Sequence, residues 1–173
     1  LRFWYFATSI AGLSLSPNDS TTVSLSHRQS MPAKKQFNGT ADDLEVAFYD
    51  AISRGDIEAL MALWADDDEI VCVHPNAPRL IGHAEIRASW EGIFENGSVH
   101  IHTTQLHAHH NLMSAVHSVI ETFHGGVEAA EDVHIIATNV YVKTAKGWRI
   151  VTHHASVAAG KAPPDLFKTG VLH

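Results

Sequence analysis

Fourteen of the 173 residues are histidines, and the positions of several suggest chemistry. His74 stands before Pro75 at the end of the apolar run Ile70–Val73, where a short strand gives way to a loop, a common setting for functional side chains. A neutral imidazole at the mouth of a partly apolar cavity can act as a general base with a pKa near the working pH. The competing reading is that His74 only bonds backbone and orients the Pro75 turn. His153 and His154 are consecutive in a strand-like stretch and therefore point to opposite faces. At most one of them lines an interior unless a bulge intervenes. His153 shares a face with Val151, and His154 with Thr152 and Ser156; counting from Trp148 leaves open which face is concave.

Other residues point to chemistry less directly. His100 with His102, and His107 with His109, are spaced as same-face pairs of the kind that suits zinc or iron. The two pairs have opposite parity, so one regular strand separates them. The nearest following polar residue is Gln105, and the next acid, Glu121, falls on another strand. No metal and no cofactor are expected. Asp66-Asp67-Asp68 reads as a solvated turn, because no Gly or later Glu follows at calcium-loop spacing. Cys72, the single cysteine, excludes an internal disulfide and reads as a small core residue. Trp64, Trp90, Phe94, Tyr141 and Trp148 are expected in the core and the cavity wall. Trp90 and Tyr141 could present an N–H or O–H to a bound molecule. Glu121 and Asn139 have apolar strand neighbours, so either would be a polar anchor if it faces inward.

The elements that must hold these residues follow from the hydrophobic period. Thr40-x-x-Asp43 is an N-cap pattern, and Leu44, Ala47, Phe48, Ala51 and Ile52 then recur on one helical face up to Arg54-Gly55. Asp56 caps a second helix, IEALMALWA, with Ile57, Leu60, Met61 and Trp64 inward. A short strand pair follows, with Pro75 and Pro78 in its turn. A third helix runs over 83–96, carries Ile86, Trp90, Ile93 and Phe94 on one side, and stops at Gly97. Four antiparallel strands complete the domain: 99–109, 113–123, 133–143 and 148–157. Gly125-Gly126 separates the second from the third, and the turn Thr144–Gly147 joins the last two. The order predicts an α+β domain over 40–158, a curved antiparallel sheet wrapped around N-terminal helices. A cone of this kind encloses a pocket that is apolar with a few convergent polar groups.

Composition bounds the rest. With 45% apolar and 18% charged residues, a sizeable core is expected. A net charge of -7, from 12 basic and 19 acidic residues, and no basic stripe argue against a nucleic-acid partner. No run approaches the roughly 20 apolar residues that cross a membrane. Residues 1–39 read as a tail or upstream sequence, with the natural start expected near Met31 and a cytoplasmic location. The outline of Leu1–Leu15 makes a secretory signal the rival reading. Residues 159–173, with Pro163-Pro164, read as a flexible C-terminal tail.

Three motifs, FYDAISRGDIEALMALWADD, VCVHP followed by RLIGHAEIRASWEGIF, and GWRIVTHHAS, resemble the nuclear transport factor 2-like superfamily and within it the SnoaL-like group. The resemblance covers about residues 40–158. It implies a cystatin-like α+β barrel, a pocket for a small, largely apolar molecule, and a homodimer formed through the exposed sheet face. The superfamily includes ketosteroid isomerases, polyketide cyclases, dehydratases, epoxide hydrolases and the association domain of a calmodulin-dependent kinase, so fold alone fixes no reaction. The resemblance places His74 where ketosteroid isomerases keep a catalytic Asp before Pro. Their first-helix Tyr falls at Phe48, with Tyr49 beside it, and their late-strand acid falls near Thr138 or Asn139. The implied functions are therefore a binding protein with no assigned reaction, an acid/base enzyme using His74 with His153 or His154, or an oligomerising module.

Overall fold

The computed structural model describes residues 36–97, 99–123 and 133–158. The leader-like stretch 1–15, the Gly125-Gly126 connection and the tail from residue 159 lie outside the described residues. Helix α1 spans Ala41–Arg54. It begins with a reciprocal capping box: Asp43 N–H donates to Thr40 Oγ1 (3.1 Å), and Thr40 N–H donates to Asp43 Oδ2 (2.8 Å). Gly55 ends it in the left-handed conformation, φ 63°. Its buried side combines Leu44, Phe48 and Ile52 with two polar residues, Glu45 and Tyr49.

Helix α2 covers only Ile57–Ala62, with Asp56 accepting from Ala59 N–H. It is shorter than the period suggests because Leu63–Ala65 leaves the helix to pair with the sheet. Ile150 N–H donates to the Leu63 carbonyl (2.9 Å), and Ala65 N–H donates to the Ile150 carbonyl (2.8 Å). Trp64 is thereby fully buried from an extended segment, not from a helical face. Phe37, inside the stretch expected as tail, bonds through its N–H to the Lys146 carbonyl (2.9 Å).

Strands β1 (Val71–Val73) and β2 (Arg79–Ile81) form an antiparallel pair. The connection His74–Ala77 is a turn closed by Ala77 N–H to the His74 carbonyl. Pro75 fixes its second position and Asn76 supplies φ 59° at the third, the pattern of a type II turn. Helix α3, Gly82–Phe94, buries Ile86 and Trp90. Its Arg87 forks onto Glu58 of α2 at 2.7 and 3.2 Å. The long strands are β3 (Ile101–His110), β4 (Ser114–Phe123), β5 (Val133–Thr144) and β6 (Gly147–Val157).

Among the described residues, six strands form one curved sheet in the order β2-β1-β6-β5-β4-β3. The sheet is open, with β2 and β3 at its edges. Every pairing is antiparallel except β1 with β6, which run parallel and set Cys72 opposite His153. The core lies between the helices and the concave face, around Leu44, Phe48, Leu60, Trp64, Ile70, Ile86, Trp90, Ile135, Tyr141 and Ile150. Burying side chains of this size contributes about 1.5–3 kcal/mol each, so the fold rests on this layer. Among the described residues, no helix is long and apolar enough to cross a membrane.

Candidate functional site

The register decides which side chains reach the interior. On β4, Ala115, His117, Val119 and Glu121 are buried, and on β5 so are Ile135, Ala137, Asn139 and Tyr141. His153 stands opposite Asn139 on β6 and is buried, whereas His154 stands opposite Thr138 on the other face and is exposed. The pair left open by parity is thus separated by the sheet. His74 is buried just past the end of β1. Its ring meets Trp90 edge-on at 4.8 Å between centroids, and its Nε2 lies 3.8 Å from Cys72 Sγ. Phe48 occupies the centre, 5.2 Å from the His153 ring, 5.2 Å from Tyr49 and 6.1 Å from Trp90. Trp90 is also 6.4 Å from His153, so His74 and His153 flank one indole. Among the described residues, the buried Trp90 Nε1–H has no acceptor.

A hydrogen-bonded chain runs inward from His153. His153 Nδ1 lies 2.7 Å from Asn139 Oδ1. Asn139 can only accept through this oxygen, so the imidazole donates there and keeps its lone pair on Nε2. Asn139 Nδ2 donates to Tyr49 Oη (3.2 Å) and to Glu45 Oε2 (3.2 Å). Tyr49 Oη–H donates to Glu121 Oε1 at 2.8 Å. Glu45 Oε2 also accepts from Tyr141 Oη–H (2.9 Å) and His117 Nδ1 (3.0 Å). His117 continues outward: its Nε2 is 2.7 Å from His110 Nε2 and 3.7 Å from Asp42 Oδ1. One network of buried polar groups therefore joins α1, β4, β5 and β6.

Burial sets the charges in this interior. Desolvation lowers the His74 imidazole to about 4. Desolvation, then the neighbouring His74 and His154, lower His153 to about 3. Both rings are neutral over the physiological range. Glu121 moves the other way: desolvation raises its carboxyl to about 7, the Tyr49 hydrogen bond lowers it, and nearby Glu45 raises it further. Burial holds the Tyr49, Tyr141 and Cys72 protons well above their ordinary values. The interior thus offers two neutral bases and one acid that carries its proton up to neutrality, an arrangement suited to proton transfer.

The other expected wall residues divide. Trp64 is core. Phe94 is half-buried, 5.7 Å from Trp90, and borders a shallow surface depression with Gly55, Ile57, Glu91 and Glu95. Trp148 is half-buried at the β5–β6 hairpin, under the Lys143 ammonium at 5.9 Å, and outside the network. The acid that the isomerase resemblance puts near Thr138 or Asn139 is absent there; a buried carboxyl comes from β4 instead, as Glu121 against Tyr49. His102, His107 and His109 line the convex side. An extra residue between Thr104 and His107 shifts the register, so His102 and His107 share a face despite their opposite parity.

Sequence reading missed Glu45, His117, His110 and Asp42. A usable signal existed for two of them. Glu45 falls within the buried arc of α1, between Leu44 and Phe48, and His117 alternates in phase with Ala115 and Val119. Polar residues in apolar phase mark buried function.

Residues 42–160 match a family model described as a SnoaL-like domain. A candidate calcium/calmodulin-dependent protein kinase type II association domain from Thiobacillus denitrificans is 36% identical. The match covers 69% of this chain and 96% of that one, with a TM-score of 0.65. A candidate dehydratase of the NTF2-like family from Streptomyces avermitilis is 31% identical over 69% of this chain and 94% of that one, TM-score 0.62. A ketosteroid isomerase-like protein from Erwinia carotovora atroseptica shares the fold at 18% identity, covering 72% and 100%, TM-score 0.54. No curated protein matches the chain.

Proposed function

This chain belongs to the SnoaL-like domain family of the nuclear transport factor 2-like superfamily, and from that premise we propose that its concave interior binds a small, largely apolar molecule and acts on it by acid/base chemistry. One observation carries the reading: His74 and His153 flank the Trp90 indole at the end of a buried hydrogen-bonded chain that leads to Tyr49 and Glu121. The hydrogen bonds along this chain offset the cost of burying its polar groups, and shifted titratable groups gathered in one interior support a functional site. His74 removes a proton beside a carbonyl, or activates water. His153, its Nδ1–H fixed by Asn139, assists through Nε2. Protonated Glu121, held through its Oε1 by the Tyr49 Oη–H, supplies a hydrogen bond to the oxyanion that forms.

A thermal-shift screen of carbonyl, steroid-like and polyketide-like compounds tests binding, since a ligand raises the melting temperature by mass action. For any compound turned over, His74→Ala and His153→Ala should each lower kcat at least 100-fold with the fold intact by circular dichroism. Unchanged turnover in both would sink the mechanism. Activity should rise through about pH 4 as His74 loses its proton, and fall through about pH 7 as Glu121 loses its own.

A second reading is an oligomerising module, supported by the 36% identity to a candidate association domain. The convex face also exposes Val116 and Ile136, and a homodimer through this face would cover them. Light scattering at micromolar concentration checks it; a monomer at all concentrations would eliminate this reading.

A further inference from the structure

We propose that Asp42, His110 and His117 bind a divalent transition-metal ion of the zinc type, with Glu45 holding His117 as a ligand. Their donor atoms all lie within 4.8 Å of one another. The three residues come from separate elements: Asp42 from the first turn of α1, His110 from the end of β3, and His117 from β4. His110 pairs with Ala115 and Ala108 with His117, so the two histidines are diagonal neighbours on the concave face.

Three features mark the cluster as a metal site rather than a chance meeting. The first is tautomer. Glu45 Oε2 already accepts from Asn139 and Tyr141, so His117 Nδ1 donates to it, and the His117 lone pair sits on Nε2. A carboxylate behind a histidine is the usual arrangement for orienting a metal ligand. The second is aim. That Nε2 points at His110 Nε2, 2.7 Å away, and two imidazole nitrogens at this distance cannot both carry protons. At this distance one proton lies between them, and a cation would take its place only as the pair opens. Asp42 Oδ1, 3.7 Å from His117 and 3.8 Å from His110, brings a negative charge to the same point. The third is spacing. Tetrahedral zinc at about 2.1 Å from each ligand separates its donors by about 3.4 Å. The two nitrogen–oxygen separations are near this value. The nitrogen pair must open by about 0.7 Å, which His110, half-exposed at its strand end, can supply by rotating.

Two imidazoles and a carboxylate match zinc and other borderline metals and disfavour magnesium and calcium, which prefer all-oxygen sets. His117 is fully buried, whereas the side chains of His110 and Asp42 are 43% and 55% exposed. The ion would therefore enter from solvent and keep an outward position for water. Bound there, it would tie the start of α1 to the β3–β4 hairpin. This inference does not depend on the acid/base reading, because its donors are separate from His74, His153 and Glu121.

Zinc chloride titrated calorimetrically into chelator-treated full-length chain tests it, with magnesium chloride as the contrast. One zinc per chain should bind, with no heat from magnesium. His110→Ala and Asp42→Asn, both at exposed positions and checked for fold by circular dichroism, should each weaken zinc binding at least tenfold. His107→Ala, on the opposite face of β3, should leave it unchanged. Zinc should also raise the melting temperature of the wild type and not of the two site variants. Failure of the wild type to bind, affinity unchanged in either site variant, or equal loss in the His107→Ala control would overturn the proposal.

Discussion

Glu121 and His153 occupy the same interior and are pushed in opposite directions, because burial penalises whichever form is charged. For His74 and His153 the folded values lie below the ordinary 6.5, so the unfolded chain takes up protons first. Their contribution to stability is whole above about pH 6.5 and is lost as pH falls toward 4, at up to about 1.4 kcal/mol per pH unit for each ring. Glu121 has a folded value above its ordinary 4.5; its contribution is whole below 4.5 and is lost as pH rises through 7. Glu121→Gln removes this opposing term. The variant should gain on the order of 2–3 kcal/mol over wild type at pH 8 and lose stability more steeply between pH 6.5 and 5. Urea midpoints across that range read both effects; parallel curves for the two proteins would refute the assignment. At this scale the sequence disclosed single candidates but not their company. His74 was marked by its place before Pro75, yet the Asn139 amide that fixes His153 is invisible until β5 and β6 are in register.

At the scale of elements, the β5–β6 hairpin is the tightest constraint. Gly147 has φ 93°, and a Cβ there would run into the Phe37 backbone. Gly147→Ala should therefore cost about 1–3 kcal/mol, visible as a lower thermal midpoint, while Gly92→Ala, with open space around it in α3, should be neutral or stabilising. Equal effects at the two glycines would refute the argument. The helices and long strands were legible from period and caps: Thr40, Asp56 and Gly55 act as their residue types suggest. Two features were not. The helical pattern of IEALMALWA continues through Trp64, but Ile150 captures that backbone, and local periodicity carries no record of a pairing 86 positions away. The extra residue between Thr104 and His107 has no local signature such as Gly or Pro, so the sequence offers no sign that β3 departs from the regular alternation that would separate His102 from His107.

For the whole molecule, the open sheet leaves a convex face with Val116 and Ile136 exposed beside His154. If copies associate through it, Ile136→Asp should convert the assembly to monomers by light scattering without altering the circular dichroism, since the side chain points away from the core. An unchanged oligomer would direct attention to another surface. Fold class was readable because helix-helix-strand-strand-helix followed by four long strands admits few architectures; the parallel partner of β1 was not, because nothing in VCV distinguishes the last strand from the others. That parallel pairing has a consequence in time. His153 lies on the last described strand and His74 just past the end of the first, two strands that are neighbours in the sheet but far apart in the chain. Long-range pairing of this kind forms late and slowly. On a ribosome, the first helices and β1 emerge with no partner for that edge, and the two imidazoles cannot share an indole until β6 has cleared the exit tunnel. A nascent chain arrested before residue 147 should remain protease-sensitive around Val71–His74, and release of the final strand should close the fold and complete the site together.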